Sequence, residues 1–122
     1  MTPPPGWKYP KSARLLKPAE FRKVYQDGIR ISGPLFAAFC LRTGRANGEP
    51  GPRIGFTTPR AFGRAVERNR ARRRIREALR VRLDTVAPNW DIVINPRRAV
   101  LDATHDELVR EVERLLSRCK PR

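Results

Sequence analysis

The sequence predicts an α+β fold, a single-domain sandwich of one small sheet with about three helices. Apolar residues recur at helical spacing in three segments, around Phe21, Ile75 and Val112. Short apolar runs of strand length, bounded by glycine and proline, lie around Phe36, Ile54 and Ile92. A chain of 122 residues, 39% of them hydrophobic, can fill one modest core and not two.

The elements follow in order. Residues 1–13 are proline-rich and read as an extended, mobile tail whose Trp7 and Tyr9 could dock elsewhere, with the domain proper spanning 14–122. Pro18 suits the first turn of a short helix and Gly28 its end, and Phe21, Val24 and Tyr25 share one face of it. Leu35 to Arg42 reads as a strand and Pro52 to Thr57 as its partner. Thr43 to Gly51, with three glycines and a proline, reads as the hairpin loop between them. After Thr58-Pro59 a helix runs from about Arg64 to Leu83, with Ala71, Ile75, Ala78 and Leu79 as a narrow apolar stripe. Asp91-Ile92-Val93-Ile94 is a short strand ended by Pro96-Arg97-Arg98. Thr104 opens the last helix, with Glu107 three residues on in a capping-box pattern and Leu108, Val112, Leu115, Leu116 and Cys119 as its core stripe.

Charge decides the class of partner. The chain carries 27 Lys+Arg against 12 Asp+Glu, a formal +15. In the segment around Ile75, the arginines Arg64, Arg68, Arg70, Arg72, Arg73, Arg74, Arg76, Arg80 and Arg82 are opposed only by Glu67 and Glu77. Such a helix repels itself unless a polyanion lies beside it. Arginine grips phosphate bidentately and stacks on bases, so nucleic acid is a better partner than a membrane surface. Arg68 and Arg72 lie close to the column of Ile75 and Leu79, which predicts that the first turns project past the sheet edge into a site filled by an anion. A helix that reads DNA bases should mix Asn and Gln among its arginines, and only Asn69 qualifies, so RNA is favoured over DNA.

Other classes recede. No stretch approaches the roughly 20 apolar residues of a membrane span, and the N-terminus has no apolar signal region, so a cytoplasmic protein is expected. Cys40 and Cys119 read as buried thiols acting as small hydrophobes, not as a disulfide or metal site. His105 reads as an exposed helix-start residue. Asp84, Asp91 and Asp102 are scattered and offer no clustered carboxylates of the kind a protein nuclease needs.

Several motifs together resemble the protein subunit of bacterial ribonuclease P. They are Arg53-Ile54-Gly55-Phe56, then Gly63-x-Ala65-Val66-x-Arg68-Asn69-Arg70-x-Arg72-Arg73-x-Ile75-Arg76-Glu77, then Asp91-Ile92-Val93-Ile94 before Arg97. Upstream, Leu15, Lys17, Phe21, Val24, Tyr25 and Gly28 extend the likeness, which covers roughly Arg14 to Arg118. The resemblance implies a small four-stranded mixed sheet with an uncommon left-handed strand-helix-strand crossover around the arginine helix, against the usual right-handed rule. It also implies that the RNA subunit carries the active site, uses Mg2+ and cleaves the 5′ leader from precursor tRNA, while the protein has no catalytic residue and positions the RNAs.

By the same resemblance Arg64, Arg68, Asn69, Arg70, Arg72, Arg73 and Arg76 face the RNA subunit. Phe21, Tyr25, Phe36 and Phe39, with Arg60, line a cleft for the leader, where aromatic walls suit single-stranded RNA because every base offers a face for stacking. On the residues alone those four rings read as core first, and only the resemblance brings a partly exposed cleft level with that reading. The chain departs from the family pattern where Ala61 follows Arg60 in place of a second basic residue. Arg74 stands where an apolar residue is usual, and Pro96 precedes Arg97 and is expected to end the last strand early. The alternative reading is a small basic structural RNA-binding protein of ribosomal type.

Overall fold

A computed structural model describes residues 17–42, 52–80, 82 and 90–119. The expected tail at 1–13 and the expected loop at 43–51 lie outside the described residues. Three helices and four strands run in the order α1 (Pro18–Asp27), β1 (Ile29–Ser32), β2 (Phe36–Arg42), β3 (Arg53–Phe56), α2 (Ala65–Arg80), β4 (Trp90–Pro96) and α3 (His105–Ser117), with 3₁₀ turns at Arg60–Phe62 and Arg98–Leu101. The sheet order is β1-β2-β4-β3. β1 and β2, and β2 and β4, pair antiparallel, whereas β3 and β4 pair parallel.

The segment Pro52 to Thr57 is therefore a strand, but not the hairpin partner of Leu35 to Arg42, because β4 stands between them. The physical reason lies in β4 itself. Ile92, Val93 and Ile94 are all fully buried, and a strand apolar on both faces takes a central position where it can be covered above and below. β1 is an edge strand that the sequence reading passed over. Its signal is one short alternation, Ile29-Arg30-Ile31-Ser32, squeezed between Gly28 and Gly33-Pro34. The last strand runs through Asn95 and takes in Pro96 as its final residue, opposite Phe36.

The sheet has two unlike faces. Phe36, Ala38, Cys40, Ile54, Ile92 and Ile94 join the stripes of α2 (Ala71, Ile75, Ala78, Leu79) and α3 (Leu108, Val112, Leu115, Leu116) in the main core. On the other face Val24 of α1 is buried against Val93, flanked by Phe21, Phe39 and Leu41. Cys40 and Cys119 are both buried and form no disulfide. Their thiols are neighbours, and Cys119 together with burial pushes the Cys40 thiol up.

Polar groups fix how the layers meet. Thr104 Oγ1 accepts from the Glu107 N–H at 3.1 Å while the Thr104 N–H donates to Glu107 at 2.8 Å, the expected reciprocal cap of α3. Gly28 ends α1 because nothing larger fits: a Cβ there would stand 2.6 Å from the Val24 carbonyl oxygen and 2.8 Å from that of Cys40. Arg53 donates through Nε and Nη2 to both oxygens of buried Asp91 (3.0 and 2.8 Å) and through Nη1 to Glu20 at 2.6 Å, which ties α1 to β3 and β4. The Asp91 carboxylate, with Glu20, holds the Arg53 guanidinium above its ordinary pKa. Buried Glu111 accepts from the Leu35 and Phe36 N–H groups at 3.0 Å each, so α3 sets the start of β2. Arg74, unusual on its helix face, donates to the carbonyls of Val100 and Ala103 and so clamps α2 to the second 3₁₀ turn.

Candidate nucleic-acid interface

The arginines of α2 divide by what they already bind. Arg68 Nη1 donates to the Gly63 carbonyl at 2.7 Å, and Arg72 donates to Thr58 Oγ1 and to Asn69 Oδ1. These two guanidiniums are partly buried beside the apolar stripe with protein acceptors, so an anion is not needed to explain their position. Arg76 lies over the Phe56 ring, 5.0 Å from its centroid. Arg80 pairs with Glu77, and Arg82 donates to Glu113 and to the Ala78 carbonyl. Arg70 and Arg73 are exposed, and among the described residues neither side chain has a hydrogen-bond acceptor or carboxylate partner. Helical geometry puts both, with Asn69 and the 66%-exposed Val66, on the side away from the buried stripe.

The start of α2 is held by one carboxylate. Glu67 accepts from the Arg64 N–H at 3.0 Å and from Arg98 Nη2 at 3.2 Å, while Arg98 Nη1 donates to the Phe62 carbonyl at 2.6 Å. A Cβ on Gly63, whose φ is +157°, would collide with both Glu67 and Arg98. Arg98 first, and then the Arg64 N–H, pull Glu67 below the ordinary glutamate value of 4.5. A depressed folded pKa gives stability that is complete above the ordinary value and lost as pH falls through the folded one. Glu67→Gln should therefore melt nearer to the unmodified protein at acid pH than at pH 7. Melting curves from pH 7 down to below 4.5 check this; a constant gap would remove Glu67 from the acid response.

The second candidate surface lies on the α1 face of the sheet. Tyr25 meets Phe39 edge-on, with centroids 4.8 Å apart and planes at 71°. Its hydroxyl is hydrogen-bonded to Thr57 Oγ1 (2.8 Å) and Asn95 Oδ1 (2.9 Å), which fixes the ring above β3 and β4. Tyr25 is 36% exposed, Phe39 and Phe21 are half-buried, and Phe21 packs beside Val24 and Val93. Arg60 is exposed in the turn that follows Thr57-Thr58-Pro59. Phe36 is not part of this surface. It is only 2% exposed and belongs to the main core on the opposite face, because positions 36 and 39 differ by an odd number and a strand points them to opposite sides.

Thr57, Asn95 and Arg30 are additions that sequence reasoning did not single out. Arg30 sits over the Phe39 ring, 5.9 Å from its centroid. The one local signal for it was the Ile-Arg-Ile alternation of β1.

Comparison with known proteins points to one family. The Ribonuclease P family model matches residues 9–120. The chain is 38% identical over 107 residues to the ribonuclease P protein component of Chloroflexus aggregans, covering 87% of this chain and 76% of that one. It is 34% identical over 110 residues to the protein of the same name from Herpetosiphon aurantiacus, covering 90% and 86%. Among solved structures the fold is similar to the RNase P protein of Staphylococcus aureus, with a TM-score of 0.72, 25% identity and coverage of 88% and 94%.

Proposed function

Because the chain belongs to the ribonuclease P protein family, we propose that it sets the outer face of α2 on the RNA subunit and the α1 face of its sheet on the 5′ leader of precursor tRNA. The observation that carries this reading is the pairing of two exposed arginines without acceptors among the described residues, Arg70 and Arg73, with a separate aromatic surface on the other side of the sheet. Phosphate contacts on α2 fix the register of the protein on a structured RNA without reading its sequence. Tyr25 and Phe39 offer ring surface to unpaired bases, which a leader supplies and a mature tRNA end does not. The protein thus adds binding energy to the substrate and none to the product, so precursor is favoured while mature tRNA still leaves.

Hydrolysis of the phosphodiester falls to the RNA subunit and its Mg2+ in this reading. Among the described residues no three His, Cys, Asp or Glu side chains converge on one point. A purely structural RNA-binding role leaves the aromatic surface without a task. No helix among the described residues is long and apolar enough to cross a membrane, and we place the protein in the cytoplasm with its RNA.

Reconstitution tests the proposal. The protein alone should cleave nothing, and its addition to a cognate ribonuclease P RNA should speed processing of precursor tRNA at low magnesium. Leader removal by protein rigorously freed of RNA overturns the assignment of chemistry to the RNA subunit.

A further inference from the structure

The aromatic surface has an outer margin with its own cation. Arg30 on β1 stands directly opposite Phe39 on β2, Phe39 opposite Val93 on β4, and Val93 opposite Gly55 on β3. Directly opposed residues share a face, so these four form one row across the sheet, and Arg30 closes it at the edge strand. α1 rests on β2 and β4, and Tyr25 covers the inner part of the face through its bonds to Thr57 and Asn95. The Arg30 guanidinium lies over the same Phe39 ring that Tyr25 meets edge-on.

Arg30 differs from the other arginine at this margin. Arg97 donates through Nε to the Gly33 carbonyl and through Nη2 to Ser32 Oγ, both at 2.8 Å, and is committed to holding the β1–β2 turn. Arg30 is exposed, and among the described residues its guanidinium has no hydrogen-bond acceptor and no carboxylate. A guanidinium resting over an aromatic ring still carries N–H donors around its rim, so ring contact and phosphate binding are compatible.

We infer that Arg30 is a leader-binding residue: the single strand that stacks at Tyr25 and Phe39 leaves the cleft across β1, and Arg30 takes the phosphate of the nucleotide stacked at Phe39. The inference rests on the leader-cleft reading above and adds the direction of the strand and the residue that holds it. β1 lies about 5 Å from β2, so the contact falls at the outer border of the aromatic pair. It should matter only for leaders long enough to reach that border.

The test uses reconstituted holoenzyme with precursor tRNAs carrying leaders of increasing length and with mature tRNA, titrated over a range of salt. Arg30→Ala should weaken binding of the long-leader precursor about five- to tenfold. It should flatten that salt slope by about 0.7, and leave mature tRNA and the shortest leader unchanged. Arg30→Lys should keep the slope, because the charge remains, yet recover only part of the affinity. Melting of the free protein should be the same for all three forms. Equal losses for precursor and mature tRNA, or no loss for either, overturn the assignment while wild-type holoenzyme still prefers the leader. A wild-type holoenzyme that makes no distinction between the two RNAs instead overturns the cleft reading and this inference with it.

Discussion

Phe36→Ala should cost about 3–5 kcal/mol of stability, the range for a buried aromatic ring whose loss leaves a cavity. In a domain of this size that lowers the melting temperature by something on the order of 20 °C. The ring is 2% exposed and packs among the residues joining the sheet to α2 and α3. Where the variant remains folded, its preference for precursor over mature tRNA should be unchanged, because the ring is on the far side of the sheet from Tyr25. Tyr25→Ala should show the reverse pattern. Its ring is 36% exposed, so removal should cost less stability, while affinity for leader-bearing precursor should drop by about 1–3 kcal/mol for the base it stacks. Thermal melting beside titrations with the two RNAs separates these outcomes. A Phe36→Ala protein of normal stability with a leader-specific loss would reverse the placement of the two rings.

That contrast shows what was readable from the chain alone. Four aromatic residues at suggestive positions were legible, and the parity of 36 and 39 already barred both from one face of a strand. Which of the two faced α1 was not, because that depends on Val24 packing against Val93, a contact between residues 24 and 93 that no local pattern encodes. The same division runs through the fold. α3 was readable nearly to its ends, since its cap and its apolar stripe are both written within one helix. Strand order was not, since pairing β3 with β4 instead of β2 depends on the burial of β4 on both faces and on the path through α2. β1 has four residues and a single alternation, too short a signal to stand out between two glycines.

The arginines teach the same lesson at the candidate site. Their number was plain, and it argued for a polyanion. Their division was hidden, because Arg68, Arg72 and Arg74 are satisfied by Gly63, Thr58, Val100 and Ala103, whose positions depend on turns flanking α2 and on a second 3₁₀ segment. Charge density in a sequence measures how many cations are present, whereas the backbone carbonyls decide how many remain available.

That division makes a prediction with a large expected effect. The double variant Arg70→Ala, Arg73→Ala should weaken assembly with the ribonuclease P RNA by about 3–6 kcal/mol if each guanidinium makes one charge-assisted phosphate contact. The slope of log affinity against log salt should flatten by about 1.4–1.8, since each lost contact removes about 0.7–0.9. Stability of the free protein should hold or rise, because two exposed like charges leave a helix that already repels itself. Arg74→Ala is the matched control on the same helix. It leaves the Val100 and Ala103 carbonyls without their donor, so it should cost about 1–3 kcal/mol of stability and leave the salt slope of assembly unchanged. Filter binding across salt with melting curves of both proteins reads each of these quantities. If Arg74→Ala flattens the slope while the Arg70, Arg73 double variant does not, the RNA lies against the side of α2 that faces the second 3₁₀ turn and not against the outer face.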